Sequence, residues 1–350
     1  MPAGLLNGIR VLDLGCGISG PWCAKILADY GAEVIKVETP GSGDATRRMG
    51  PFAGDDPDAE KSLTYLYLNT NKKGITLEIS SASGRRLFHR LLANADVLVE
   101  NNPPNQTEFL GLDYASLAEI NPGLVLTSIT PFGQTGPYRD YQATDIVTYA
   151  LSGLMYHSGD SDKEPLRSVL DQSFYVAGAN GAAATQIALF ARLSSGEGQH
   201  VDVSAAECLG AHLVQPLPYY NYMGAIKGRR PVRGAGFEEL MPARDGYVAP
   251  SVQGSRPWEV IADLIGLEEL HDEKFSTGAG RVANGEELKE LLTKGLAQWD
   301  RMPLFLASGE ARLVFGMAQD AGDLVDCPHL EARNFFVEVD HPVVGLAKYP

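Results

Sequence analysis

VLDLGCGISG, at residues 11–20, decides the fold of this chain. The apolar residues over 9–14 predict a buried β-strand, and residues 21–30 predict the helix that follows it. Glycines between a strand and a helix allow a tight turn and let a ligand approach the backbone, while the start of the helix presents free N–H groups. Pro21 suits the first position of a helix. The stretch therefore predicts a strand, a ligand-binding turn and a helix.

The alternation of strand and helix continues through the first half of the chain. Further strands are predicted at 33–38, 75–79, 96–100, 124–129 and 200–203, and helices at 83–93, 114–120, 174–193 and 205–214. Continuous apolar strands joined by helices indicate a parallel sheet with both faces covered. We therefore expect an α/β fold for this part of the chain.

The composition changes after residue 215. Residues 216–236 are rich in Pro, Tyr, Gly and Arg, which predicts a linker. A short strand then follows Gly246, and helices are predicted at 257–265, 286–296 and 302–306. The pattern divides the chain into a large domain at 1–215, the linker at 216–236 and a smaller α+β domain at 237–330.

The bulk composition limits the possible functions. The 350 residues include 29 basic and 44 acidic ones, and the net charge of −15 argues against binding to nucleic acid. No apolar run approaches the roughly 18 residues that span a bilayer, so we expect no membrane association. Cys16, Cys23, Cys208 and Cys327 lack the spacing of a metal site, apart from Cys327, which lies two residues before His329. We expect reduced thiols in the cytoplasm and no metal centre.

The glycine stretch has more than one interpretation. A strand, a glycine turn and Glu38 at the end of the next strand, where an acid can bind a ribose, are typical of S-adenosylmethionine-dependent methyltransferases. Gly20 falls one residue late for that pattern. The glycines alternatively serve only to pack a tight turn. Other segments of the chain are needed to decide between these interpretations.

Those segments resemble one family. In chain order they are LNGIRVLD at 6–13, ADYGAEVIKVE at 28–38, GSGD at 41–44 with Arg47, NTNKKGI at 69–75, ADVLVEN at 95–101, FGQTGP at 132–137 and GEGQHVDVS at 196–204. The ordered set resembles the class III CoA-transferases, which include formyl-CoA and carnitine-CoA transferases and α-methylacyl-CoA racemases. Residues 245–248 and 341–345 are similar to the smaller domain in outline.

The resemblance implies a Rossmann-like large domain, a smaller domain and interlocked dimers, with residues 331–350 beginning a return to the large domain. It also implies coenzyme A as a substrate along the carboxyl ends of the first strands. Carried over by position, the contacts are Ile18, Ser19, Thr39, Leu77, Asn101, Asn102, Gln142 and Asp145. The asparagine pair has an alternative role in capping a loop. Arg47 and Lys72 have an alternative as solvated surface charges.

The resemblance also implies a nucleophilic aspartate at the start of the long helix, where it attacks an acyl-CoA thioester to form a mixed anhydride. Its position is four residues before a helix glycine and nine after a proline. In this chain those residues are Gly178 and Pro165, and both counts give Phe174. Phenylalanine cannot attack a thioester. Asp171, three residues earlier, either replaces the nucleophile or serves as a helix N-cap.

Other positions depart from the family as well. Thr39 and Phe109 stand where the family often has basic residues, and Thr144 replaces the histidine of the racemases. Proton transfer by a racemase needs both of its groups, so we expect a CoA-transferase that moves CoA from a donor such as a dicarboxylyl-CoA to a carboxylic acid. The assembly is a homodimer or a heteromer. Either Asp171 serves an altered catalytic centre, or this chain is the subunit without the acyl group, which we favour.

Overall fold

The computed structural model describes residues 4–229, 240–251 and 257–350. The strands are β1 (Arg10–Asp13), β2 (Glu33–Glu38), β3 (Lys72–Thr76), β4 (Val97–Glu100), β5 (Val125–Thr130), β6 (Gln199–Ser204), β7 (Met241–Ala243), β8 (Gly246–Ser251), β9 (Val314–Met317), β10 (Val337–His341) and β11 (Gly345–Tyr349). The helices are α1 (Ser19–Asp29), α2 (Leu63–Leu68), α3 (Ala82–Leu92), α4 (Pro104–Leu110), α5 (Tyr114–Ile120), α6 (Asp145–Leu151), α7 (Gln172–Ser195), α8 (Ala205–Gly210), α9 (Pro216–Met223), α10 (Trp258–Ile265), α11 (Gly278–Ala283), α12 (Gly285–Leu296), α13 (Arg301–Glu310), α14 (Ala321–Val325) and α15 (Pro328–Ala332).

The first six strands form one parallel sheet in the order β3-β2-β1-β4-β5-β6. In this sheet Asp13 of β1 lies opposite Lys36 of β2 and Val99 of β4. The order is that of the Rossmann fold, in which the chain moves outward from β1 in one direction and then from β4 in the other. The predicted Rossmann-like α/β fold is confirmed.

Helices cover both faces of this sheet. Val11 packs in one core with residues of α1 and α7, whereas its neighbour Leu12 packs in another with Phe88 of α3 and Leu117 of α5. All four of these side chains are fully buried. Because successive residues of a strand point to opposite faces, two covered faces require the continuous apolar strands seen in the sequence.

Helix α7 packs closely on α1 because glycines face the contact. A methyl group built on Gly178 would lie 2.6 Å from the carbonyl oxygen of Ser19, and one on Gly181 would lie 2.7 Å from Ile129 Cδ1. Near the start of α7, Tyr175 meets Trp22 of α1 edge to face, with ring centroids 5.5 Å apart. The first turns of α7 are therefore held beside the beginning of α1.

Residue contacts divide the described chain into two compact units. The second unit contains the described residues between 229 and 339, with the antiparallel sheet β7-β8-β9 and a core that includes Trp258, Leu288 and Leu304. The predicted smaller α+β part is confirmed. Helix α9 occupies the first part of the predicted linker, and residues 230–239, where the linker is predicted to end, lie outside the described residues.

Several predicted elements were wrong in their bounds, among them one strand and the helices predicted at 205–214 and 302–306, the latter of which ends at Glu310. The strand predicted at 75–79 is β3, which begins at Lys72 and ends at Thr76 in register with β2. Its first residue, Lys72, has a side chain that is 1% exposed. The helix predicted at 205–214 ends at Gly210. Within the described residues, no helix is both long and apolar enough to cross a membrane.

We expect Gly178→Ala to destabilise the protein, even though alanine favours a helix by about 1 kcal/mol over glycine. The added methyl group cannot avoid the Ser19 carbonyl unless α7 moves, and such overpacking costs ~1–3 kcal/mol. Urea unfolding followed by circular dichroism measures the change. The matched control is Gly309→Ala in α13, where a methyl group has no neighbour within 4 Å in the described part of the chain. Equal stability of the two variants would contradict the close packing.

Candidate functional site

The strand order places a topological switch point at the carboxyl edge of the sheet, between β1 and β4. Chain connections leave these two neighbouring strands in opposite directions, and ligands of open α/β sheets bind at such a switch point. Residues 15–20, called the glycine loop below, follow β1 there. Asn101 and Asn102 follow β4. The topology therefore brings together two segments that are more than eighty residues apart in the sequence.

The first three backbone N–H groups of the glycine loop already donate to side chains of the protein. Gly15 N donates to Asp13 Oδ1 at 2.9 Å, Cys16 N to Asn101 Oδ1 at 2.8 Å, and Gly17 N to Asp44 Oδ1 at 3.1 Å. Two carboxylates and an amide therefore occupy the N–H groups of Gly15, Cys16 and Gly17, and these three groups are not available to a ligand. The start of α1 remains, where Ile18 is the N-cap residue and makes no side-chain capping bond.

The side chain of Asn101 reaches the glycine loop from the end of β4. Besides accepting from Cys16 N, it donates through Nδ2 to Cys16 O at 2.7 Å and to Ser19 Oγ at 3.2 Å. A methyl group on Gly20 would lie 2.8 Å from Gly15 Cα and 3.3 Å from the Asn101 side chain. Gly20 therefore has to be glycine for this packing. The alternative role of Asn101 in holding a loop is seen directly.

Asn102 has a different partner. Its backbone N and its Nδ2 donate to Glu100 Oε2 at 2.8 and 3.1 Å, and Thr107 Oγ1 donates to the same oxygen at 3.3 Å. Glu100 is fully buried at the end of β4, and burial raises the pKa of its carboxyl group. The hydrogen bonds from Asn102 therefore replace part of the hydration that the buried Glu100 carboxyl group loses.

Four buried charges lie beneath the glycine loop. Lys36 Nζ donates to Asp44 Oδ2 at 2.7 Å and to the carbonyl oxygen of Gly15, while Lys72 Nζ donates to Asp13 Oδ2 at 2.8 Å. Each of these four charged side chains is at most 2% exposed. Burial lowers the pKa of Lys72 to about 8. The interpretation of Lys72 as a solvated surface charge was wrong, because the carboxylates draw the lysine into the core.

Glu38 is bound on all sides. Arg47 donates to both of its carboxylate oxygens at 2.8 Å, Asp44 N donates to Oε1 at 2.7 Å, and Tyr65 Oη donates to Oε2 at 3.0 Å. Burial by itself would raise the pKa of Glu38, but these donors lower it to about 2. Glu38 is thus the ion-pair partner of Arg47 and has no oxygen left for a ribose. Arg47 is likewise not a solvated charge.

The start of α7 carries the predicted nucleophile position. Phe174 stands in the first turn, half-buried against the core, and shares a helix face with Gly178, which packs on α1. Asp171 is the N-cap residue by position, but its side chain makes no capping bond. Asp145, which is 3% exposed, accepts from Ser173 N at 2.8 Å instead. The interpretation of Asp171 as the capping side chain was therefore wrong.

Electrostatics at this helix end involve two acids and one base. The second oxygen of Asp145 lies 3.7 Å from Arg167 Nη1. Burial and the charge of Asp145 raise the pKa of Asp171. The carboxylate of Asp171 is thus left beside a helix N-terminus without a structural bond to α7.

The remaining predicted contacts lie at the same edge of the large unit or near it. Ile18 and Ser19 are buried at the start of α1. Thr39 is exposed at the end of β2, and Leu77 N donates to Glu38 O at 2.9 Å, so both residues follow adjacent strands. Gln142 is exposed three residues before Asp145. A role of these residues in binding CoA stays a prediction.

Sequence reasoning missed Lys36 and Asp44. A lysine inside the apolar strand VIKVE was the signal that could have found the first, because an unpaired ammonium is almost never placed in a core. Asp44 lies in the segment GSGD, in which no local pattern assigns it a role. Its connection to the glycine loop depends on a turn that the local pattern does not predict.

The strand order and the closed loop at its switch point define the class, an α/β protein of the Rossmann type. Sequence comparison gives the family. The profile of CoA-transferase family III matches residues 6–350. The chain belongs to this family, and the resemblance found in its motifs is confirmed.

Individual relatives agree with this assignment. The chain is 32% identical over 344 residues to succinate–glutarate CoA-transferase of Agrobacterium fabrum, covering 96% of this chain and 85% of that protein. It is 40% identical over 240 residues to subunit BbsE of succinyl-CoA:(R)-benzylsuccinate CoA-transferase of Thauera aromatica, covering 69% and 58%. A crystal structure of a CAIB/BAIF family protein from Brucella suis superposes with a TM-score of 0.87 at 31% identity, covering 99% and 94%. The methyltransferase interpretation was wrong.

The low pKa of Glu38 predicts a defined dependence on pH. A carboxylate whose pKa falls on folding, here from 4.5 to about 2, stabilises the fold fully above pH 4.5 and less as the pH approaches 2. We expect the stability advantage of the wild type over Glu38→Gln to be constant from pH 6 to about pH 5 and to shrink below it. Urea unfolding between pH 3 and 6 measures this difference in stability.

Glu60→Gln, which removes the exposed partner of Arg47, is the control and changes stability by about 0–1 kcal/mol. A constant difference for Glu38→Gln down to pH 3 would show that its carboxylate is not stabilised by these donors.

Proposed function

We propose that this chain is the subunit of a heteromeric CoA-transferase that carries no acyl group, while a paralogous chain supplies the nucleophile. The observation that carries the proposal is Phe174, which stands in the first turn of α7 where the family has its aspartate. A phenyl ring has no lone pair with which to attack a thioester. The chain then binds CoA without forming an anhydride.

The reaction of the heteromer moves CoA from a dicarboxylyl-CoA to a carboxylic acid. In the paralogous chain an aspartate attacks the thioester carbonyl, the C–S bond breaks, and CoA leaves as a thiolate. The thiolate attacks the aspartyl carbonyl, which forms an aspartyl-CoA thioester and releases the donor acid. The acceptor carboxylate attacks this thioester, which forms a second mixed anhydride and releases CoA as a thiolate. The thiolate then attacks the acyl carbonyl of the acceptor, which gives the new acyl-CoA and frees the aspartate. Water has to be excluded because it hydrolyses the anhydride. Succinyl-CoA is the donor we favour, since the names of two relatives contain succinate or succinyl-CoA.

A second subunit is supported by apolar side chains that this chain leaves exposed. On one side of α7, Ile187, Phe190 and Leu193 are 70%, 75% and 80% exposed. Helix α9 buries none of its residues, and its Tyr222 is 90% exposed. Large exposed apolar patches are typical of protein interfaces. The relative BbsE is itself named as a subunit, and we propose the interlocked arrangement of the family for the assembly.

We propose that CoA lies at the switch point, against Ile18 and Ser19 and between the ends of β2 and β4. Thr39, Leu77, Asn102 and Gln142 follow or border these elements. Asn101 then contributes to CoA binding indirectly, because its side chain holds the glycine loop. The free thiol of Cys16 in this loop fits a reducing compartment, and we propose the cytoplasm.

Asp171 as the nucleophile is the second candidate. It is supported by the finding that Asp145, not Asp171, caps α7, so the Asp171 carboxylate has no structural task in the helix. It lies in the loop before α7, three residues from the family position. A homodimer then performs the whole reaction.

Chemical trapping distinguishes the two candidates. The purified chain is treated with succinyl-CoA and then with hydroxylamine or borohydride, and peptides are analysed by mass spectrometry. We expect no modification of this chain, and modification of an aspartate in the paralogue when the two are purified together. Asp171→Asn is expected to change neither result. A modification at residue 171 that disappears in this variant would overturn the proposal.

Phe174→Asp is expected to create an acyl acceptor, because the new carboxylate lies at the N-terminus of a long helix, which favours the ionised form. Treatment with succinyl-CoA followed by hydroxylamine then gives a hydroxamate at residue 174. Phe174→Asn is the matched control, since asparagine has nearly the same size as aspartate but carries no carboxylate nucleophile. A folded variant that binds CoA yet yields no hydroxamate would contradict the assignment of this position.

A further inference from the structure

We infer that Lys36 is a positioning residue for the CoA site: it holds the glycine loop from beneath, so that the start of α1 meets the ligand in one conformation. The inference rests on the proposed function, since the conformation of the loop matters for affinity only if CoA binds at the switch point. The supporting evidence is the set of bonds that end on the backbone of the loop.

Lys36 reaches the loop at two places. It leaves β2 opposite Asp13, and its ammonium donates to the carbonyl oxygen of Gly15 and, at 2.7 Å, to Asp44 Oδ2. The other oxygen of Asp44 accepts from Gly17 N at 3.1 Å and from Thr46 N at 2.8 Å. One cation therefore fixes Gly15 directly and Gly17 through a carboxylate.

The neighbouring pair completes this support. Asp13 Oδ1 accepts from Gly15 N at 2.9 Å, and Lys72 Nζ donates to Asp13 Oδ2 at 2.8 Å and to Pro21 O at 2.8 Å. The two carboxylates and two ammonium groups sum to zero charge. Removing Lys36 leaves one buried negative charge in excess, which the loop can relieve by opening to water.

Lys36 stays charged in this site. Burial pushes its pKa down, but the nearby carboxylates of Asp13 and Asp44 outweigh burial and raise it. In a core of low polarity, hydrogen bonds between charged groups are stronger than they are in water. The loop therefore depends on a permanent cation.

Another buried lysine, Lys25, serves as a control that distinguishes an effect on the glycine loop from an effect on the stability of the fold. Lys25 is 4% exposed and donates to Asp29 within α1, and the contacts of its ammonium are with that carboxylate and with the rings of Trp22 and Tyr67. It resembles Lys36 in burial and in having an ion-pair partner. Its ammonium does not bond to the glycine loop in the described structure. Loss of either lysine should thus reduce stability, whereas loss of Lys36 alone should affect the loop.

The test uses the full chain and CoA alone as the probe. Lys36→Met and Lys25→Met are compared with the wild type by calorimetry, by thermal unfolding and by hydrogen exchange of peptides that cover residues 15–20. For Lys36→Met we expect about ten-fold weaker CoA binding, the effect of losing about 1.4 kcal/mol, and faster exchange of the loop. For Lys25→Met we expect a smaller drop in Tm, because its partner Asp29 is 35% exposed and remains hydrated, with unchanged affinity and loop exchange.

Two outcomes overturn the inference: wild-type affinity and loop protection in Lys36→Met, or equal weakening of CoA binding in Lys25→Met. If Lys36→Met does not fold, Asp44→Asn replaces it, because it preserves the shape of the partner and removes its charge. Normal affinity in Asp44→Asn likewise overturns the inference. Failure of the wild type to bind CoA counts against the proposed function instead, and loop exchange in the variants then still tests whether Lys36 holds the loop.

Discussion

The ammonium of Lys36 between the carboxylates of Asp13 and Asp44 is the interaction on which the large unit depends most. An ion moved into a protein core loses several kcal/mol of hydration. The loss is offset only when partners and hydrogen bonds are placed accurately. These partners lie on β1, on β2 and in the turn after β2, so one cluster fixes the register of the central strands and the conformation of the glycine loop together.

Close packing then determines what surrounds that loop. Gly20 allows the Asn101 side chain to approach from β4, and Gly178 allows α7 to lie against the beginning of α1. A larger residue at either position would push an element away from the switch point. The ion cluster, the asparagine and the two glycines therefore produce one compact site, in which the first turn of α7 lies beside the start of α1.

The strands and the order of the sheet were predictable because burial on both faces leaves long apolar runs in the sequence. The buried polar contacts that hold the glycine loop were less predictable from the sequence. A pattern that counts lysine as exposed misplaces β3, since Lys72 turns inward to reach Asp13. The N-cap rule is local and assigns the cap of α7 to Asp171. The actual cap, Asp145, lies 28 residues before Ser173, and no local signal indicates it.

Binding and chemistry are separable in this arrangement. The hydrogen bonds that shape the glycine loop come from Asp13, Asp44, Lys36 and Asn101, and residue 174 takes no part in them. The helix end that carries residue 174 is held from outside by Asp145 and by glycine packing. A phenyl group at that position therefore leaves the contacts of the loop and of the helix start in place. The proposed division, with a ligand site in this chain and the covalent step in another subunit, therefore requires no change in the contacts that hold the loop and the helix.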